Sequence, residues 1–195
     1  MKKGKIIILD GSPSVGKTTI ALSIQENKEE PFLYAGIDSF VQMFPSKWIS
    51  FNPQSMKPEG LEFVFTKDKE GQPVIRFATG QYGERLIHGY INAIKGLAAA
   101  GNNVIADGVI TKKEWLEYMH TCLEGFACCY VGLYAPLKVL EAREARRFEP
   151  KGVARGRFDD VYSLKKQYDL FIDTSKTKPE KAAKQILEFL KHNRE

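Results

Sequence analysis

A lysine held between a glycine and a threonine, in Gly11-Ser12-Pro13-Ser14-Val15-Gly16-Lys17-Thr18, has the most evident capacity for chemistry in this sequence. The pattern G-x-x-x-x-G-K-S/T lets the backbone curl around a polyphosphate and aim successive N–H groups inward. Lys17 would set a point charge on the outer phosphates. Thr18, opening a helix, would present a hydroxyl to Mg²⁺ where the positive helix end favours an anion. Contacts to ATP are therefore expected from Gly11, Ser12, Pro13, Ser14, Val15, Gly16, Lys17, Thr18 and Thr19. Two carboxylates stand at the ends of apolar runs: Asp38 after Pro31 to Ile37, and Asp107 after Val104-Ile105-Ala106. The carboxyl ends of strands in an open α/β sheet form its ligand-binding edge. Asp38 could take the proton of a reacting hydroxyl or cap a short helix Phe40 to Phe44, since Asp is a favoured N-cap. Asp107 could hold the water shell of Mg²⁺, with Thr18 as the other metal-side residue, or cap a helix that includes Glu114 to Tyr118. Arg143 and Arg147, four apart, share a face of the helix expected from Pro136 to Arg147. They could stabilise a transferring phosphate from a lid, helped by Arg155 and Arg157, or form a solvated face paired with Glu141 and Glu144.

Those groups need a scaffold, and the apolar pattern supplies one. Ile6 to Leu9, Pro31 to Ile37, Val104 to Ala106, Gly125 to Tyr134 and Asp169 to Ser175 read as five strands alternating with helices. The helix Gln81 to Ala100 carries apolar residues at 86, 87, 90, 91, 94, 97 and 98, the spacing of a core-facing stripe. A closing helix, Pro179 to Leu190, turns Ala183, Ile186, Leu187 and Leu190 inward. The expected fold is α/β, a mostly parallel five-stranded sheet between two helical layers. Residues 45–80 break this rhythm. Lys47-Trp48-Ile49 and Asn52-Pro53 look irregular, and Leu61 to Phe65 and Val74 to Phe77 form a hairpin about Lys67 to Gly71. Such an insertion would overhang the active edge. Its Trp48, Phe51, Phe63, Phe65 and Phe77 could wall an acceptor pocket or simply pack the hairpin down. His88 and Arg85, on the long helix, have no partner in view.

With 195 residues there is room for a single domain spanning 1–195, with a hairpin insertion at about 45–80 and a lid at about 143–157, but not for a second catalytic domain. A hydrophobic content of 43% and a charged content of 27% exclude wholesale disorder. The net charge of +5 suits an anionic ligand, yet the lysines are scattered, which argues against a nucleic acid partner. Cys122, Cys128 and Cys129 are too few for a disulfide framework and form no zinc pattern. The basic start, Met1 to Lys5, is followed by an apolar stretch that stops at Asp10, so a secretory leader is disfavoured. No run has the length of a membrane span, and a cytoplasmic protein is expected. The oligomeric state is not legible.

With Gly11 to Thr18, Ala35-Gly36-Ile37-Asp38-Ser39, Ala100-Gly101, Val104 to Asp107, Arg143-Glu144, Gly152-Val153-Ala154-Arg155 and Asp173-Thr174 in register, the chain resembles the chloramphenicol phosphotransferase-like family along nearly its whole length. The resemblance implies a small P-loop kinase that moves the γ-phosphate of ATP to a hydroxyl of a small molecule with Mg²⁺. It also implies that Asp38, the aspartate of the Gly-Ile-Asp-Ser segment, is the base. Three features depart from the family: Asp107-Gly108 in place of Asp-Asp, Phe148-Glu149-Pro150-Lys151 in place of a Gly-Asp-Arg lid segment, and a longer, more aromatic hairpin. Pocket walls and lid select the acceptor, so chloramphenicol is one acceptor among many. Nucleotide sugars, nucleosides and polynucleotide ends are alternatives with the same chemistry. A non-catalytic nucleotide switch would need a guanine-reading N-K-x-D, which the sequence lacks.

Overall fold

The computed structural model describes residues 2–26, 29–51, 59–147, 151–164 and 166–192. Expectations placed on Asn52-Pro53 and Phe148-Glu149-Pro150 lie outside these residues. In chain order the elements are β1 (Ile6–Asp10), α1 (Lys17–Gln25), β2 (Phe32–Gly36), α2 (Ile37–Met43), β3 (Ile49–Phe51), β4 (Leu61–Lys67), β5 (Pro73–Thr79), α3 (Gln81–Ala99), β6 (Asn103–Gly108), α4 (Lys113–Cys122), β7 (Cys128–Tyr134), α5 (Leu137–Glu144), α6 (Val153–Tyr162), β8 (Leu170–Asp173) and α7 (Pro179–His192).

The five strands β2-β6-β1-β7-β8 lie in that order with every neighbouring pair parallel. Alternation along β1 explains why helices cover both faces. Ile7 and Leu9 pack with Ile20, Ile24, Leu140 and Ile186 on one side, whereas Ile6 and Ile8 pack with Ile91, Ile94 and Trp115 on the other. All four β1 residues are essentially inaccessible, and each contributes roughly 2 kcal/mol of burial. In α3, Ile87, Tyr90, Ile91, Ile94 and Ala98 are buried, as the stripe predicts. Because β1 sits at the centre, its carboxyl end carries the chain from the core straight into the Gly11 to Thr18 loop.

The inserted region is a second, three-stranded sheet, β3-β4-β5. The hairpin partners pair antiparallel, Phe63 opposite Phe77, and β3 adds in parallel with Phe51 opposite Phe63. Ile49, expected to be irregular, begins β3. Three residues show no periodicity, and β3 exists because the edge of β4 offers free backbone groups.

The Pro136 to Arg147 helix is shorter than expected, so Arg143 and Arg147 do not share one helix face. The reason lies in Glu144, whose buried carboxylate accepts from the backbone N–H groups of Gly152 and Ala154 at 2.8 and 2.7 Å. It caps the N-terminus of α6, whose first turn falls within the lid expected at about 143–157. Gly156 lets α6 lie directly on β5, since a Cβ there would meet the Ile75 carbonyl at 2.3 Å.

Candidate active site

The loop backbone departs from ordinary geometry where it must turn. Gly16 takes φ 103, and Ser14 takes φ 65, a left-handed conformation that costs a non-glycine residue about 1 kcal/mol or more. Pro13, Ser14, Gly16, Lys17 and Thr18 line a cleft of about 460 Å³. Ser12 and Val15 turn into the protein instead, with Ser12 Oγ donating to the Ala154 carbonyl of α6 at 3.4 Å. Gly11 is buried beneath the loop, and Thr19 points to solvent without lining the cleft. Lys17 Nζ folds over the loop and donates to the carbonyls of Gly11 at 2.9 Å and Ser12 at 3.2 Å. Burial, aided by the nearby Arg157 charge, holds its ammonium below the usual lysine range, and the charges of Asp107, Asp10 and Asp38 oppose that shift.

Asp107 ends β6 and is only 6% exposed. Its Oδ2 accepts from the Tyr34 hydroxyl at 2.7 Å and from Thr18 Oγ1 at 3.2 Å, and its Oδ1 lies 3.9 Å from Lys17 Nζ. It caps no helix, because α4 begins after Lys112. Thr18, Asp107 and Lys17 therefore converge as the sequence suggested, while Tyr34, one strand away, was missed. Tyr34 reads as an ordinary aromatic in β2 until the sheet order puts β2 beside β6. Burial pushes its hydroxyl up to about 12, so it remains a donor to Asp107 at neutral pH. Among the described residues no cluster of three or more His, Cys, Asp or Glu could hold a metal. Thr18 and Asp107 nonetheless fit Mg²⁺, a hard cation that takes one or two protein oxygens and fills its shell with water and substrate phosphate.

Asp38 lies in the first turn of α2, exposed on the wall of the same cleft. Gly36, in extended conformation, occupies the N-cap, so the capping role open to Asp38 in the sequence is not taken.

The arginines separate. Arg143 faces the underside of the phosphate loop: its guanidinium donates to the carbonyls of Ser14 at 3.5 Å, Val15 at 3.2 Å and Thr174 at 2.8 Å, and to Thr174 Oγ1 at 3.0 Å. Arg155 is taken up by Glu141 at 2.6 Å and by Asp68 and Glu70 of the hairpin turn at 2.9 and 3.4 Å. It clasps the small sheet to α5. Only Arg147 and Arg157 line the cleft. His88 stacks on Tyr118 and Arg85 lies over Tyr82, both outside the cleft lining.

Opposite the phosphate loop, the cleft is walled by the small sheet. Phe51 stacks on Phe63 with ring centroids 5.1 Å apart, and Phe63 meets Phe77 at 5.2 Å. Phe51 and Phe65 remain 63% and 43% exposed and leave an apolar face open to the cleft. Trp48 packs on Tyr82 and takes no part.

Beneath the loop lies a polar group the sequence reading did not single out. Asp10, the last residue of β1, accepts from Lys166 Nζ at 2.6 Å, Tyr168 OH at 2.7 Å and the Ile110 backbone N–H at 3.0 Å. Both charged side chains are 1% exposed. Lys166 and Tyr168 are remote in sequence and carry no motif.

The protein named "Putative O-phosphotransferase Rv2636" in Mycobacterium tuberculosis (strain H37Rv) is 28% identical over 198 residues, covering 96% of this chain and 83% of its own. Among solved structures, Mycobacterium tuberculosis APS kinase CysC, in complex with AMPPNP and APS, superposes with a TM-score of 0.69 at 16% identity, covering 98% of this chain and 99% of that one. An unliganded sugar kinase from Janibacter sp. HTCC2649 does so with 0.65 at 18%, covering 97% and 95%. These structures share the fold of P-loop kinases. No helix among the described residues is long and apolar enough to cross a membrane. Residues 4–191 match the family described as chloramphenicol phosphotransferase-like protein, and the chain belongs to that family as a kinase-type enzyme.

Proposed function

We propose that the protein transfers the γ-phosphate of ATP to a hydroxyl group of a small molecule, with Mg²⁺ as cofactor. The observation that carries this reading is the convergence of Lys17, Thr18 and Asp107 in one cleft whose wall also bears Asp38. The loop amides and Lys17 hold the β- and γ-phosphates, and anion binding replaces the contacts Lys17 now makes to loop carbonyls. Thr18 and Asp107 are the residues that would hold Mg²⁺, which supplies charge neutralisation at the phosphates. Asp38 orients the acceptor hydroxyl and receives its proton as the new oxygen–phosphorus bond forms and the bond to the β–γ bridging oxygen of ATP breaks, releasing ADP. Arg147, on the cleft wall, meets the charge that develops on the phosphoryl oxygens. Arg143 acts from beneath, fixing the Ser14 and Val15 carbonyls so that the N–H groups point into the cleft. The aromatic wall receives the body of the acceptor. Support for a small organic acceptor comes from the size of the cleft and its apolar far side.

The test is incubation of a metabolite extract with γ-labelled ATP, followed by mass spectrometry. The parental protein should generate a labelled phosphomonoester that Lys17→Ala does not. Label transfer that is undiminished in Lys17→Ala would overturn the reading.

A further inference from the structure

Arg157 is the one cleft-lining cation whose situation the transfer chemistry leaves unexplained. It projects from α6, and its guanidinium carbon lies 4.3 Å over the Phe77 ring, at the end of the Phe51, Phe63, Phe77 series. The series is cross-strand, since these residues are register partners in β3, β4 and β5. The guanidinium therefore terminates the aromatic wall. Among the described residues its buried Nε has no hydrogen-bond partner, and no carboxylate lies within ion-pair distance of it. Burial lowers its pKa to about 10, with Asp160 and Asp38 opposing the shift, so it is still charged at neutral pH.

A buried, charged donor without an acceptor is costly to keep, and the fork of a guanidinium suits an oxyanion. Packing alone would be met by an apolar residue over Phe77. A charge kept only to balance Asp38 would pair with it, and it does not. The Arg157 charge reaches Lys17 across the cleft and lowers its pKa, but the loop already meets phosphate with Lys17 and its own amides, and the Arg157 guanidinium rests on the aromatic wall over Phe77. We propose that Arg157 recognises an oxyanion carried by the acceptor, a carboxylate or a phosphate or sulfate ester, on a molecule whose flat or apolar body lies along Phe63 and Phe77 and whose hydroxyl reaches Asp38. This rests on the phosphotransferase reading and narrows its acceptor to an anionic class.

The experiment follows the ¹⁵N-labelled Arg157 Nε–H resonance by NMR with the phosphate loop filled by Mg²⁺ and a non-hydrolysable ATP analogue. Benzoate, phenyl phosphate and the neutral benzamide are then titrated. Benzoate or phenyl phosphate should shift the resonance to saturation, binding roughly 10- to 150-fold tighter than benzamide, the ratio of one charge-assisted hydrogen bond. Which anion binds tighter identifies the group the acceptor carries. Arg157→Met should abolish the preference as read by ligand-observed NMR. Equal binding of benzamide, no shift with either anion, or a shift driven fully by the ATP analogue alone would overturn the proposal, the last by giving Arg157 to the nucleotide. The Gly16 amide reports nucleotide binding in the same spectra. If it fails to move, the ATP reading falls, and the anion titrations repeated without nucleotide still decide the role of Arg157.

Discussion

The two walls of the cleft are built on opposite principles. On the phosphate side each charge has partners supplied by the chain: Lys17 by Gly11, Ser12 and Asp107, Asp107 by Tyr34 and Thr18, Arg143 by loop carbonyls, Asp10 by Lys166, Tyr168 and Ile110. On the small-sheet side Phe51 and Phe65 stay exposed and the Nε of Arg157 has no hydrogen-bond partner among the described residues. A self-satisfied network holds one geometry before any ligand arrives, as transfer of an invariant phosphate requires. An unsatisfied wall awaits a complement, and the acceptor is the variable part of the reaction.

Asp38 stands where the walls meet, and its replacement should have the largest effect. Asp38→Asn keeps shape while removing the carboxylate proposed to take the proton. It should lower kcat by roughly 10² to 10⁴ with nucleotide affinity unchanged. Near-parental kcat at saturating ATP and acceptor would place the base elsewhere.

Next comes the foundation of the phosphate wall. Lys166→Met strands the buried Asp10 carboxylate and should cost about 3 to 5 kcal/mol in urea unfolding. A loss below about 1 kcal/mol would show that the network is not the rigid base the comparison assumes.

Arg147 and Arg143 separate reach into the cleft from support beneath it. Arg147→Ala should reduce kcat by roughly 10² to 10³ with nucleotide affinity little changed. Arg143→Ala should instead destabilise by about 1.5 to 3 kcal/mol, because charged donors to the Ser14, Val15 and Thr174 carbonyls are lost, and should weaken nucleotide binding. Identical behaviour of the two variants in melting and kinetics would erase the distinction.

The smallest effect is expected at Tyr34. Tyr34→Phe removes one hydrogen bond to Asp107 and should cost about 1 kcal/mol. Because the folded-state pKa is raised to about 12 above an ordinary tyrosine value near 10, the stabilisation is complete below about pH 10 and is lost as pH rises through 12. The gap between parental and variant melting temperatures should therefore narrow above pH 10. A gap constant to pH 11 would mean that burial does not raise the Tyr34 pKa above the ordinary tyrosine value.

The local chain by itself determined the phosphate loop, the five strands of the main sheet and the long amphipathic helix. Their signals are local: a fixed spacing of glycine and lysine, short apolar runs, and a 3.6-residue stripe at Ile87, Tyr90, Ile91, Ile94 and Ala98. Asp38 and Asp107 were legible because strand ends in such a sheet lie at one edge. What the arginines do was decided only in three dimensions. Arg143, Arg147, Arg155 and Arg157 are alike in sequence, and which of them face the cleft depends on where α5 stops and α6 begins, the junction at which Glu144 reaches the N-terminus of α6. The Tyr34 to Asp107 bond, the Asp10 to Lys166 pair and the stack that ends at Arg157 join residues 73, 156 and, for Phe77 and Arg157, a whole sheet apart in the chain. Hydrogen bonds and ring contacts of that kind follow from sheet order and crossover packing, which no local periodicity encodes.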